Sequence, residues 1–206
     1  PLCYRVEVNA KFAGDLPLPP ALTDAATTAA FVAEIPHLKQ AIVRHGASSL
    51  EIEYEQLIIR ANNLEPRNAS EYFVVDRQYP LGGGRFDLTG IFWDRAYRRQ
   101  NQVVDPCLIE VKFALNADIS AVDAQLARYY AALRPVAAEV AAECEAILRQ
   151  KLDLGLYAGP AERLAAMRTL TVARELERFQ FVLFLVDYNP YSARLDLAKI
   201  ARLPFA

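Results

Sequence analysis

In Cys107-Leu108-Ile109-Glu110-Val111-Lys112-Phe113 an acid and a base sit two residues apart inside an otherwise apolar run. Extended backbone sends successive side chains to opposite faces. Cys107, Ile109, Val111 and Phe113 therefore point one way, and Leu108, Glu110 and Lys112 the other. Neighbours this apolar place the strand centrally, buried on at least one side. Burying a carboxylate and an ammonium there is costly unless they pair or meet a metal ion. That cost marks Glu110 and Lys112 as candidates for function.

Upstream, residues 72–79 and 85–93 read as two strands joined by Leu81-Gly82-Gly83-Gly84, a turn tolerant of positive φ. Asp87 lies in the second, within Gly84-Arg85-Phe86-Asp87-Leu88-Thr89. The glycine run lacks the lysine and following helix of a phosphate-binding loop. Ser48-Ser49-Leu50-Glu51 has the form of a capping box. The helix it opens puts Leu50, Tyr54, Leu57, Ile58 and Ala61 on one stripe. Downstream, Ile119–Leu133 is a helix with Ile119, Val122, Leu126, Tyr129 and Leu133 toward a core. Gln125 and Tyr129, four apart, share a face of it.

Two further helical patterns fill 136–178, split by Gly155 and by Gly159-Pro160. Phe181–Tyr188 is continuously apolar and predicts a fully buried strand. Asn189-Pro190 then turns into a short C-terminal helix. Before residue 48, residues 4–12 alternate like a strand and Leu16–Pro20 reads as a linker. Leu22–Glu34 predicts a helix ended by Pro36, with a second short helix to His45. The class is α/β: an N-terminal extension over 1–47, then a domain over 48–206 with a helical insertion at 136–178.

Hydrophobic residues make up 53% of the 206, ample for a core, and no apolar run is long enough for a membrane span. Three cysteines (Cys3, Cys107, Cys144) without metal-ligand spacing suit a reducing cytoplasm and speak against zinc. Net charge is −2, against a uniformly basic nucleic-acid coat. Basic residues do cluster at Arg95, Arg98 and Arg99. His37 and His45, the only histidines, have no third partner in view and read as structural or surface residues. The chain begins at Pro1 without an initiator methionine or a basic-then-apolar leader, as expected of a trimmed chain or of a piece of a longer protein.

This order, with Asp87 on the second strand, Glu110-Val111-Lys112 on the third and Gln125/Tyr129 on the next helix, resembles the PD-(D/E)XK nuclease superfamily. Its fold is the restriction-endonuclease-like αβββαβ core around a mixed central sheet. Phe86 replaces the proline that precedes the aspartate in the family pattern. The Q-x-x-x-Y spacing is similar to that of RecB-type nucleases. The resemblance covers roughly residues 48–133 and 181–188. It implies that Asp87, Glu110 and the Val111 carbonyl hold Mg²⁺ or Mn²⁺ through oxygen ligands. Lys112 would stabilise the transition state and orient water. Gln125 and Tyr129 would position the substrate.

A glutamate on the first core helix often completes such metal sites. Glu51, followed by Tyr54, Leu57 and Ile58, fits that local pattern best, with Glu53 and Glu55 as alternatives. The implied activity is metal-dependent hydrolysis of phosphodiesters, in DNA first, in defence, restriction or repair. The implied partner is nucleic acid, with a homodimer through the helical insertion left open. Three other readings stay open: a catalytically silent nuclease-like module for nucleic-acid binding or assembly, an RNA-directed nuclease, and a plain α/β domain. In that last case Glu110 and Lys112 are only an ion pair on a strand, and Asp87 a strand-end acid.

Overall fold

A computed structural model describes residues 4–205 other than 7, 9, 15, 45–49, 68, 99–101, 114–116, 192 and 193. The chain divides into two units, Pro1–Ser49 and Leu50–Ala206.

The first unit holds β1 (Tyr4–Arg5), α1 (Ala10–Ala13), β2 (Ala21–Leu22) and α2 (Ala25–Arg44). β1 and β2 pair antiparallel. The alternation over 4–12 thus yields only a two-residue strand and one helical turn. Asp24 caps α2, its Oδ1 accepting the Thr27 N–H at 2.7 Å. The helix then continues through Pro36, where two helices were expected. An interior proline forfeits one backbone hydrogen bond and crowds the preceding turn. Good helix formers on both sides carry α2 past it. His37 is an exposed partner of Glu34 at 2.8 Å, while His45 lies outside the described residues.

The second unit begins with α3 (Leu50–Ile59), which widens into a π-helical segment over Arg60–Leu64. Ser48, the expected cap, lies outside the described residues. Then come β3 (Tyr72–Leu81), β4 (Gly84–Phe92), β5 (Val103–Phe113), a 3-10 turn over Ala117–Ala121 and α4 (Val122–Leu133). They are followed by α5 (Ala137–Asp153), α6 (Ala161–Met167), β6 (Thr171–Val172), β7 (Gln180–Val186) and α7 (Leu197–Ile200). The result is an α/β unit around an open, mixed sheet. β3, β4 and β5 form an antiparallel meander, and β6 and β7 join β5 in parallel.

β5 is the centre, and every residue from Pro106 to Phe113 is buried. Its alternation divides two cores. Leu108 joins Phe73, Phe86, Tyr129, Leu133 and Leu148, packed with α4 and α5. Cys107, Ile109, Val111 and Phe113 join Ile58 beneath α3. The five expected core positions of the α4 region, Ile119, Val122, Leu126, Tyr129 and Leu133, are all buried.

Two expectations are corrected. β7 is an edge strand of mostly half-buried residues, with Phe184 43% exposed, rather than a fully buried one. Its partner β5 covers one edge, and among the described residues no strand covers the other. The stripe on α3 also differs: Leu57 is 55% exposed and Ala61 exposed, whereas Ile58 and Glu55 are buried. β6, two residues long, is too short for periodicity to reveal. Among the described residues no helix is long and apolar enough to cross a membrane.

Candidate functional site

Asp87 and Glu110 stand on neighbouring strands where β4 and β5 part. The pairing of these strands runs from Leu88↔Ile109 to Phe92↔Asp105. Just past it, Asp87 Oδ2 accepts the backbone N–H of Val111 at 2.8 Å. A side chain thus takes a donor that the ladder no longer takes, which fixes Asp87 against the residue between Glu110 and Lys112.

Glu110 is 1% exposed and Lys112 7%. Glu110 Oε1 lies 2.9 Å from Lys112 Nζ and accepts a 2.6 Å hydrogen bond from the Gln125 amide. Gln125 also donates to the Tyr129 hydroxyl at 3.1 Å, which in turn donates to the Arg85 carbonyl at 2.8 Å. One relay therefore runs from β5 through two turns of α4 to the β3–β4 hairpin. Gly84 makes room for it: a Cβ there would stand 2.8 Å from Tyr129 Cε1 and 2.9 Å from its hydroxyl. Gly82, at φ 59°, likewise lies against Ala132, where a Cβ would come within 2.4 Å of the alanine methyl. The glycine turn is what lets the hairpin close on α4.

The electrostatics are those of crowded acids. Burial, then the Glu110 charge, raise the Asp87 carboxyl to about 7, opposed by the Val111 N–H; Glu55 adds to the rise and Lys112 lowers it. Burial also raises Glu110, against the lowering pull of Lys112 and Gln125, with Glu51 adding to the rise. The other oxygen of Glu110, Oε2, is buried and has no hydrogen-bond partner among the described residues. A carboxylate oxygen so placed is costly and wants a donor or a cation.

Of the three helix glutamates, Glu53 is exposed. Glu51 is half-buried and close enough for its charge to act on Glu110. Glu55 is 1% exposed and acts on Asp87. Its Oε2 accepts from Arg77 Nε at 3.1 Å and Nη2 at 2.8 Å, and its Oε1 from the Gln78 amide at 2.9 Å. Gln78 also reaches Asp87 Oδ1 at 3.5 Å. Arg77 and Gln78 were not among the residues anticipated, and their strand carries no motif that would single them out.

Asp87, Glu110, Val111, Lys112, Gln125 and Tyr129 are thus joined by contacts, with Glu51 and Glu55 flanking them. Among the described residues no three His, Cys, Asp or Glu side chains gather into a group that could hold a metal ion. Two clefts lie away from this site, one between the start of α4 and α7 and one between Trp93, Tyr97 and Arg178. No protein-family model, no curated protein and no solved structure matches this chain.

Proposed function

We propose that this is a metal-dependent nuclease of restriction-endonuclease-like fold that hydrolyses phosphodiester bonds, with DNA as its first substrate. The observation that carries the reading is the pairing of two acids with one buried lysine. Asp87 is raised to about 7, and Glu110 holds Lys112 Nζ through Oε1 at 2.9 Å while its buried Oε2 has no hydrogen-bond partner among the described residues. The order of α3, three antiparallel strands, α4 and a parallel last strand agrees with that fold.

The donor set fits a hard divalent cation such as Mg²⁺ or Mn²⁺, because it is made of oxygen atoms and carries uncompensated negative charge. Asp87, Glu110 and the Val111 carbonyl would hold it, with Glu51 or Glu55 completing the shell. Such a cation, when bound, supplies positive charge that eases deprotonation of water and offsets charge on a phosphate. Lys112, anchored by Glu110, presents its ammonium where negative charge develops on the phosphate. Gln125 orients Glu110, and Tyr129 holds Gln125 against the hairpin. The buried thiols Cys107 and Cys144 agree with work in a reducing compartment.

The absence of a three-ligand group among the described residues favours one second reading, a nuclease-like module that binds nucleic acid without cutting it. The test offers plasmid, linear duplex, single-stranded DNA and RNA to the chain and to Asp87→Asn, with Mg²⁺, Mn²⁺ or EDTA. Cutting that needs the cation and disappears in the variant supports the proposal. Cutting that persists in EDTA or in the variant refutes it, and binding without cutting selects the second reading.

A further inference from the structure

Phe86 and Leu88 stand two residues apart on β4, yet they belong to different cores. Phe86 packs with Tyr129 and Leu133, and Leu88 with Ile58 and Ile109. Regular extended backbone would send both to one face. Across the hairpin the same reversal occurs. Tyr79 packs into the first core and its hydroxyl donates to Glu143 of α5, whereas Arg77 reaches Glu55 of α3. The register pairs Arg77 with Leu88 and Tyr79 with Phe86. The reversal therefore falls on the pair between them, Gln78 and Asp87.

Gln78 has φ 56°, the left-handed region, one strand step beyond a bulge between Val74 and Asp76. Glycine fills that conformation without strain, and glutamine does not. Strain of this kind persists where the surroundings fix it, often next to functional groups. The glutamine side chain supplies what glycine cannot. Its amide carries two hydrogens, and they point at Glu55 Oε1 (2.9 Å) and Asp87 Oδ1 (3.5 Å). The flipped amide would set its oxygen against two carboxylates, so the donor orientation is the one the site allows.

We propose that Gln78 is a positioning residue for Asp87. Its left-handed backbone reverses the hairpin so that Asp87 faces Val111 and Glu110, and its amide ties Asp87 to Glu55 on α3. The consequence for catalysis rests on the nuclease reading above; the geometry does not.

Gln78→Gly separates the two roles, since it accepts the same backbone and removes only the amide. Thermal denaturation should show the variant folded, the relief of left-handed strain set against the lost donor to Glu55. Mn²⁺ affinity by calorimetry and kcat on DNA should each fall about 10–100-fold, with KM for DNA unchanged. Wild-type Mn²⁺ affinity and kcat in Gln78→Gly would overturn the proposal. Should that variant not fold, Gln78→Asn carries the same test, because asparagine tolerates the left-handed region but its amide stops one methylene short. If wild type itself neither binds Mn²⁺ nor cuts, the nuclease reading fails. A double-mutant cycle of Gln78→Gly with Asp87→Asn in urea unfolding then decides the positioning role. Coupling upholds it, and additive effects overturn it.

Discussion

Replacing Asp87 with asparagine should stabilise the folded chain at pH 8 while removing the proposed nuclease activity. The carboxyl stands at about 7 in the folded chain against 3.8 when unperturbed, for which burial and Glu110 are the main causes. Between those values the folded form holds a proton that the unfolded form has released. Stability is therefore greatest below about pH 4, declines as pH rises, and has lost the whole contribution above about pH 7. Three pH units amount to about 4 kcal/mol at most. Asp87 is only half-buried and open in part to water, so about 1–2 kcal/mol is the figure to expect after discounting for screening. Asparagine is nearly isosteric, and its Oδ1 can still accept the Val111 N–H. Its amide would face that of Gln78, which trims the gain without reversing it. For a chain of this length the thermal midpoint should rise by about 2–8 °C at pH 8. The gap should close by about pH 4, as the unfolded state also takes up its proton. Scanning calorimetry of both proteins across that range is the assay. An equal or lower midpoint for Asp87→Asn at pH 8, or a gap independent of pH, would refute the account of a strained carboxylate. Mg²⁺ adds an internal control: it should raise the wild-type midpoint at pH 8 and leave Asp87→Asn nearly unmoved.

Lys112→Ala leaves the buried Glu110 without its cation and should cost about 3–5 kcal/mol in urea unfolding, whereas Glu110→Gln combined with Lys112→Met should cost clearly less. Gln125→Ala removes the 2.6 Å bond to Glu110 and should weaken Mn²⁺ binding about 10–100-fold by calorimetry, with the fold retained by circular dichroism. Gly84→Ala drives a methyl into the Tyr129 ring and should cost about 1–3 kcal/mol and lower kcat together, whereas an unchanged unfolding midpoint would deny the hairpin's dependence on α4. Mn²⁺ binding should tighten as pH rises toward about 7 and level off above it, with proton release detectable by calorimetry in buffers of different ionisation enthalpy.

What was legible in the sequence had local causes. β5 could be read because a period of two separates Cys107, Ile109 and Val111 from Leu108, Glu110 and Lys112, and the two cores keep that separation. The α4 region could be read because five apolar positions recur at helical spacing and all five are buried. What was missed depends on partners distant in the chain. The apolar run at 181–188 says that a strand forms, but its exposure depends on what covers its outer edge. Glu51 matches the local pattern of apolar followers better than Glu55 does, yet Glu55 is the deeper residue. Arg77 and Gln78, some twenty positions on, supply the three donors that make burying it tolerable. Gln78 gives no signal at all, since glutamine is not a residue that marks left-handed backbone.

Burial first, and then the same contacts, explain why the Asp87 carboxyl is raised to about 7. Glu55 is answered by the guanidinium of Arg77, and Glu110 by the ammonium of Lys112 and the amide of Gln125. Those two ion pairs lock α3 to β3 and fix the face of β5. Asp87 receives one backbone N–H and a longer contact from Gln78, with no cation bonded to it among the described residues. The excess negative charge of the site therefore falls on Asp87, which relieves it by taking a proton as pH falls through about 7. On the nuclease reading a divalent cation would relieve the same excess by another route, and proton and metal would then compete for one group. Perturbed carboxyls collect at functional sites for this reason, but an ion-pair network alone can perturb them too. The distinction lies in Glu110 Oε2. On the nuclease reading, that buried oxygen, without a hydrogen-bond partner among the described residues, is where a cation would be met.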